Sequence, residues 1–297
     1  MSKSRLLLSL FLILCTFTII ILIPSLTNRP FENSRDFDGD RALRDVMIQV
    51  SFGPRIPGSQ AHQKTINWIK DQVNRNGWKV DIQKTEISGH PVQNIVAVRN
   101  GIGPWIIIGT HYDTRQIADH DPDPAKRNQP VPGANDGASG VALLLELSRK
   151  IPSNLSKKIE LVFFDAEDQG DINGSDWILG SRAFVNQLEG KPNAVIIVDM
   201  IGDASLNIYR ERNSDPNLTD QIWSTARRLN FTSQFLNEIR YQLLDDHIPF
   251  VEKGIPSLDI IDFDYPYWHT TEDTLDKVSS QSLIIVGKTL LAWLSNP

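Results

Sequence analysis

Carboxylates and histidines in this chain recur at one kind of place, the end of an apolar run. WIIIG is followed by His111 and Asp113, LVFF by Asp165, Glu167 and Asp168, and VIIV by Asp199. Asn135 and Asp136 stand directly before the apolar stretch GASGVALLLEL. Asp245-Asp246-His247 and Trp268-His269 flank the last short apolar run. His and Asp/Glu donors without cysteine are the donor set of a catalytic zinc site rather than a structural one. A carboxylate beside such a site supplies general acid–base chemistry. The single cysteine, Cys15, excludes both an internal disulfide and a cysteine-ligated zinc.

Each residue alone has an ordinary explanation. His111 reads equally as a satisfied histidine closing a strand, and Asp136 as a helix cap. Asp165 reads as a loop-ordering group, and Glu167-Asp168 as a solvated pair. Asp199 differs, because it ends a run too apolar for the surface and an unpaired buried carboxylate is costly. His62, His90 and His120 lack carboxylate company at a strand end and read as surface residues. The joint recurrence at strand ends is what points to a site.

Positioning these residues requires a particular arrangement of elements. Trp105–Gly109 is a continuous apolar run, as in a strand buried on both faces. Strands are expected also at 78–85, 94–98, 159–164, 194–198 and 257–261. Helices are expected after the Ser59 cap, with Ile66, Ile69 and Val73 on one face, and at 137–151, 177–188, about 218–229 and 281–294. A long Pro/Asp-rich loop covers 114–132. Buried strands alternating with helices give an α/β fold, a three-layer sandwich whose central sheet is mixed but mostly parallel, with helices on both faces. Ligands in such sheets bind beyond the carboxyl ends of the strands, where the polar residues fall.

Residues 1–23 form a separate segment. Leu6–Ile23 carries no charge, follows Lys3 and Arg5, and ends at Pro24. A run of about 18 residues is near the lower limit for a membrane-spanning helix. The preceding basic residues place the N-terminus in the cytoplasm and the body outside it, in a periplasm or secretory lumen. A cleaved signal peptide, which would leave the body secreted, is the competing reading. The absence of a clear small-residue cleavage site favours a retained membrane anchor. Cys15 then lies within the membrane helix. Residues 24–39 read as a linker and 40–297 as a single catalytic domain. The net charge is −6, and three positives (Lys3, Arg5, Arg29) lie in the first thirty residues, so the body is more acidic than the whole. This argues against a nucleic-acid partner.

The stretches GTHYDT (109–114), PGANDGASGVALLLEL (132–147), LVFFDAEDQG (161–170), GSRAF (180–184), VDMIGD (198–203) and WHTTEDTLDKV (268–278) together resemble the zinc aminopeptidase clan. DDHIPF (245–250), followed by GIP and then Trp268-His269, is similar to its animal-type glutaminyl cyclase branch. The resemblance implies one Zn2+ per chain held by Asp136, Asp168 and His269, with Glu167 as general acid and base. It further implies a hydrogen-bonded Asp199–Asp245 pair, and Trp177, Trp268 and Tyr265 lining a substrate pocket with His111 beside it. The family usually has Glu-Glu where this chain has Glu167-Asp168, so the ligand is one methylene shorter.

Two activities follow from nearly the same residues. A glutaminyl-peptide cyclotransferase converts N-terminal glutamine to pyroglutamate with loss of ammonia. A zinc aminopeptidase removes N-terminal amino acids and would place a second metal on His111 and Asp199, with Asp136 bridging. Either acts on peptide or protein N-termini, and the resemblance implies a monomeric catalytic domain. Asp245 favours the cyclase, because two carboxylates in contact share a proton and would compete with a second zinc.

Overall fold

The structure, a computed structural model, describes residues 36–295. The expected anchor at 1–23 lies outside the described residues. Among those described, no helix is long and apolar enough to cross a membrane. The body begins slightly earlier than the sequence suggests. Phe37 is buried, and Asp38 caps the first helix by accepting from the Arg41 amide. Phe37 seats on Gly287, where a Cβ would lie 2.2 Å from its ring, so the linker ends before residue 37.

Six strands form the main sheet: β1 (Lys79–Ile87), β2 (His90–Arg99), β3 (Trp105–His111), β4 (Lys158–Phe164), β5 (Ala194–Asp199) and β8 (Ser257–Ile261). Their order is β1-β2-β4-β3-β5-β8. β2 pairs antiparallel on both sides, and β4, β3, β5 and β8 pair parallel. The fold is therefore the mixed, mostly parallel α/β sandwich expected.

Strand alternation divides the core in two. Ile106, Ile108, Leu161, Phe163, Ile196 and Val198 point to one face, against α1 (Gly39–Ser51), α3 (Ala138–Lys150) and α7 (Ser280–Leu294). Ile107, Val162, Phe164, Val195 and Ile197 point to the other, against Phe184 of α4 (Leu179–Asn186) and Phe250 of α6 (Ile248–Glu252). Both faces being covered is why these strands read as unbroken apolar runs.

Helix α3 is buried from Ala138 to Ser148, which explains its lack of a polar stripe. Its one buried charge, Glu146, is held by the Arg41 guanidinium through contacts of 2.6 and 2.7 Å. Gly140 brings the helix onto the sheet: a Cβ there would lie 2.0 Å from Thr110 Oγ1.

Three elements depart from expectation. Helix α4 starts at Leu179 rather than 177, because Ile178 is left-handed with φ +56°. The parallel pair β6 (Ile208–Glu211) and β7 (Phe235–Tyr241) was not anticipated, and β7 exposes most of its residues. Neither was α1. The two remaining helices, α2 (Gln60–Arg75) and α5 (Pro216–Arg228), fall where capping by Ser59 and Asp215 puts them.

Candidate active site

The donors converge at the carboxyl ends of the parallel strands. His111 and Asp199 are the last residues of β3 and β5. Glu167 and Asp168 follow β4, Asp136 precedes α3, and His269 lies in the loop after β8. Tight turns deliver them. Ala166, Met200 and His269 all take positive φ (+50°, +46° and +55°) without being glycine. Such strain concentrates where the surrounding structure fixes functional groups.

Asp136, Asp168 and His269 form one three-donor group, every member buried. His269 Nε2 lies 2.9 Å from Asp168 Oδ1 and 3.7 Å from Asp136 Oδ2. Asp136 Oδ2 and both Asp168 oxygens have no hydrogen-bond partner. Buried carboxylate oxygens are normally satisfied, so these open oxygens beside an imidazole fit a cation. Carboxylate–carboxylate–imidazole is also the donor chemistry zinc accepts. Burial pushes the Asp168 carboxyl up to about 6, with the Asp136 charge adding to it.

A second group shares Asp136. His111 Nε2 lies 3.1 Å from both Asp136 Oδ1 and Asp199 Oδ1, and Nδ1 lies 3.4 Å from Asp113 Oδ1. Burial works against charge on this ring, but the three carboxylates outweigh it and raise its pKa well above the ordinary value. Burial, with Asp136 and Asp245 nearby, pushes Asp199 up to about 7 despite His111.

A cavity of about 200 Å³ opens on the first group. Asp136, Glu167, Asp168, Asp199, Asp245 and His269 contribute to it, and Trp177, Trp268, Leu243 and Phe263 are among its apolar walls. Trp268 stacks on His269 at 3.9 Å between ring centroids, and Trp177 lies parallel to it at 5.9 Å. Burial raises the Glu167 carboxyl well above its usual range, and the Asp168, Asp246 and Asp245 charges add to that shift.

Residues 94–294 match the family model described as peptidase family M28. The chain belongs to peptidase family M28. Glutaminyl-peptide cyclotransferase of Bothrops jararaca is 26% identical, covering 93% of this chain and 83% of its own length. Among solved structures, Porphyromonas gingivalis glutaminyl cyclase superposes with a TM-score of 0.83 at 33% identity, covering 87% of this chain and 98% of its own. A Zn-dependent exopeptidase from Parabacteroides distasonis gives 0.83 at 31%, covering 88% and 99%.

Some residues of this M28 chain sit elsewhere than expected. Tyr265 does not line the cavity. It is buried behind it, and its hydroxyl donates to Asp273 Oδ1 at 2.7 Å. Phe263, two residues earlier, faces the cavity instead. His111 lies beneath the floor, closed in by three carboxylates, and is not a wall residue. Asp199 is bonded to His111, while Asp245 acts on it through charge alone. Asp245 also lies near Asp259 of β8. Their atoms and those of His247 lie within 4.8 Å of one another. His62 is buried rather than exposed, with Nε2 2.7 Å from Asp165 Oδ1. Asp165 also accepts from the Gln93 amide, so it orders the loop that carries Glu167.

Several supporting roles were not assigned from the sequence, although Asp113 was noted at its strand end. Asp113 accepts from the Glu167 and Asp168 amides at 3.0 and 3.3 Å. Asp273 does the same for Asn135 and Asp136 at 2.8 and 3.1 Å. Arg55 is fully buried and donates to the Tyr112, Pro132 and Gly133 carbonyls. The available signal was an acid two residues after His111 and another four after His269.

Proposed function

We propose that this protein is a zinc-dependent glutaminyl-peptide cyclotransferase. It converts the N-terminal glutamine of peptides to pyroglutamate and releases ammonia. The observation that carries the reading is the small aromatic-walled cavity, with Glu167 on its wall and one group of open metal donors at its base. Likeness to glutaminyl cyclases over most of the chain supports it.

Asp136, Asp168 and His269 would hold the zinc. When bound, it acts as a Lewis acid toward the glutamine side-chain carbonyl. Trp177, Trp268 and Phe263 enclose one side chain and exclude water. Glu167 takes a proton from the substrate α-amine as that nitrogen bonds to the side-chain carbonyl carbon. It returns a proton to the departing nitrogen as the carbon–nitrogen bond of the amide breaks, releasing ammonia. Its raised pKa suits both directions of transfer. Closing a ring within one bound molecule lets positioning supply much of the rate. The Asp168, Asp246 and Asp245 charges raise the Glu167 pKa and so keep it basic, and Asp199 lines the same cavity.

The second reading, a two-metal aminopeptidase, has one specific support: His111, Asp136 and Asp199 also lie close enough to hold an ion. Incubating the purified, zinc-loaded protein with a Gln-initiated peptide separates the two. Loss of one ammonia with the peptide bond intact supports the cyclase, and release of a free amino acid overturns it.

The Leu6–Ile23 segment, by the same proposal, anchors the chain in a membrane with the catalytic domain outside the cytoplasm. Its hydrophobicity and the preceding Lys3 and Arg5 support this. Retention in the membrane pellet after alkaline carbonate washing checks it, and release into the supernatant contradicts it.

A further inference from the structure

We propose that Arg115 and Asp119 act together as the positioning pair of the metal centre, orienting His269 from behind and fixing Asp168 and Trp177 at the same time. The proposal rests on the metal assignment above but not on which reaction the site performs.

His269 Nδ1 is buried and has no hydrogen-bond partner. Asp119 Oδ1 is the carboxylate oxygen facing it, at 3.7 Å. Metal-binding histidines almost always donate their outer N–H to a carboxylate, carbonyl or water, which fixes the tautomer and the ring plane. His111 has a similar neighbour, Asp113 Oδ1 at 3.4 Å from its Nδ1. A ring shift of under an ångström would form that bond at His269 and leave the Nε2 lone pair free to face a cation held with Asp136 and Asp168.

Asp119 cannot hold that place alone, because its side chain is 33% exposed. Arg115 holds it. The Arg115 Nε and Nη2 donate to the two Asp119 oxygens at 2.8 and 2.6 Å, a bidentate fork. Both Asp119 oxygens accept in that fork, so the carboxylate is fixed in place. An ionised Asp119 is an acceptor, as the His269 Nδ1–H requires.

The other half of the same guanidinium reaches the rest of the site. Nη1 donates to the Asp168 carbonyl at 3.2 Å and the Gly170 carbonyl at 3.1 Å. The guanidinium carbon lies 4.7 Å from the Trp177 ring. Gly170 completes the seat, since a Cβ there would fall 2.0 Å from the Trp177 ring. One buried planar cation thus touches the backbone of one metal ligand, a pocket wall and the acid behind a second ligand. A lysine offers no such fork.

The segment that carries the pair is tied to the His269 loop independently. The His120 amide donates to the His269 carbonyl at 3.2 Å, and Asp121 accepts from the Thr271 amide and hydroxyl at 3.0 and 2.6 Å. Asp121 therefore serves as the control: it holds the loop but does not face the imidazole.

Competition against a chromophoric zinc chelator tests the proposal on the full-length protein. Asp119→Asn should weaken zinc by about 10- to 100-fold, the usual loss when an outer partner of a ligand is removed. The metal-free unfolding midpoint should stay at the wild-type value. Arg115→Lys should give a loss of the same order and change Trp177 fluorescence. The double variant should be no weaker than the worse single one, because the two residues act as one unit. Asp121→Asn should leave zinc affinity unchanged. Wild-type zinc affinity in Asp119→Asn overturns the proposal. Should that variant unfold without metal, Arg115→Lys decides, and wild-type affinity there overturns the proposal equally. Because zinc affinity is the readout, failure here leaves the cyclase reading standing, and failure of that reading leaves this result intact.

Discussion

The two histidines of the site face the same carboxylate from opposite sides and live in different states. His111 touches Asp136 Oδ1 and Asp199 Oδ1 at 3.1 Å each, has Asp113 behind it, and does not line the cavity. His269 meets Asp136 through the other oxygen, Oδ2, at 3.7 Å, and that oxygen is unpartnered. The two oxygens of Asp136 therefore divide the site. Both halves carry an ion pair, His269–Asp168 at 2.9 Å in one and His111 with Asp136 and Asp199 at 3.1 Å in the other, but all three donors of the first line the cavity whereas His111 does not. Both groups could hold an ion, and access from the cavity is what separates them.

This contrast can be broken from both ends. The largest effect is expected for Asp136→Ala, which removes the shared carboxylate. Zinc affinity should fall by more than about 100-fold, beyond the loss typical of an outer partner; chelator competition measures it. Glu167→Gln should keep zinc and lose about 10²- to 10⁴-fold in turnover, the range of a single acid–base group. Steady-state rates paired with metal analysis check this, and retained turnover removes Glu167 from its role.

Paired histidine variants sharpen the comparison further. His111→Ala leaves buried carboxylates without their partner, and breaking such a pair costs about 3–5 kcal/mol. Denaturant unfolding of the metal-free protein should show that cost. His269→Ala should do the reverse, with a larger loss of zinc affinity and a smaller loss of metal-free stability. Equal effects in both assays would erase the distinction. The smallest effect is expected for Gly170→Ala, which pushes the Trp177 ring toward the cavity. It should raise KM by roughly tenfold, about the weight of one altered apolar contact, and cost less zinc affinity than Arg115→Lys.

Much of this arrangement was legible because strands buried on both faces leave unbroken apolar runs, and polar residues ending such runs mark the sheet's carboxyl edge. The gathering of acids and histidines stands out for that reason, while the choice of Asp136, Asp168 and His269 as metal donors was implied by the resemblance. Pairing within the site was not legible, because it depends on three-dimensional reach. Asp199 bonds across to His111, and Asp245 lies close to His247 and Asp259. Asp259 carried a signal, a lone acid inside the strand SLDII, where an unneutralised charge is costly. The β6–β7 pair escaped because FLNEIRY is largely solvent-exposed and alternates too weakly to read as a strand. Tyr265 was misplaced because only the turn geometry after β8 determines that Phe263, and not Tyr265, faces the cavity. Arg115 sits in a Pro/Asp-rich loop, and its several contacts are visible only once the loop is folded against the site.

The central proposal is that the His269 group, whose three donors all line the cavity, takes one zinc and the His111 group takes none. Zinc content per chain, measured after dialysis of the metal-saturated full-length protein, tests it most directly. One zinc per chain, lost in His269→Ala, is the predicted result. Two zincs per chain, the second lost in His111→Ala, would contradict it.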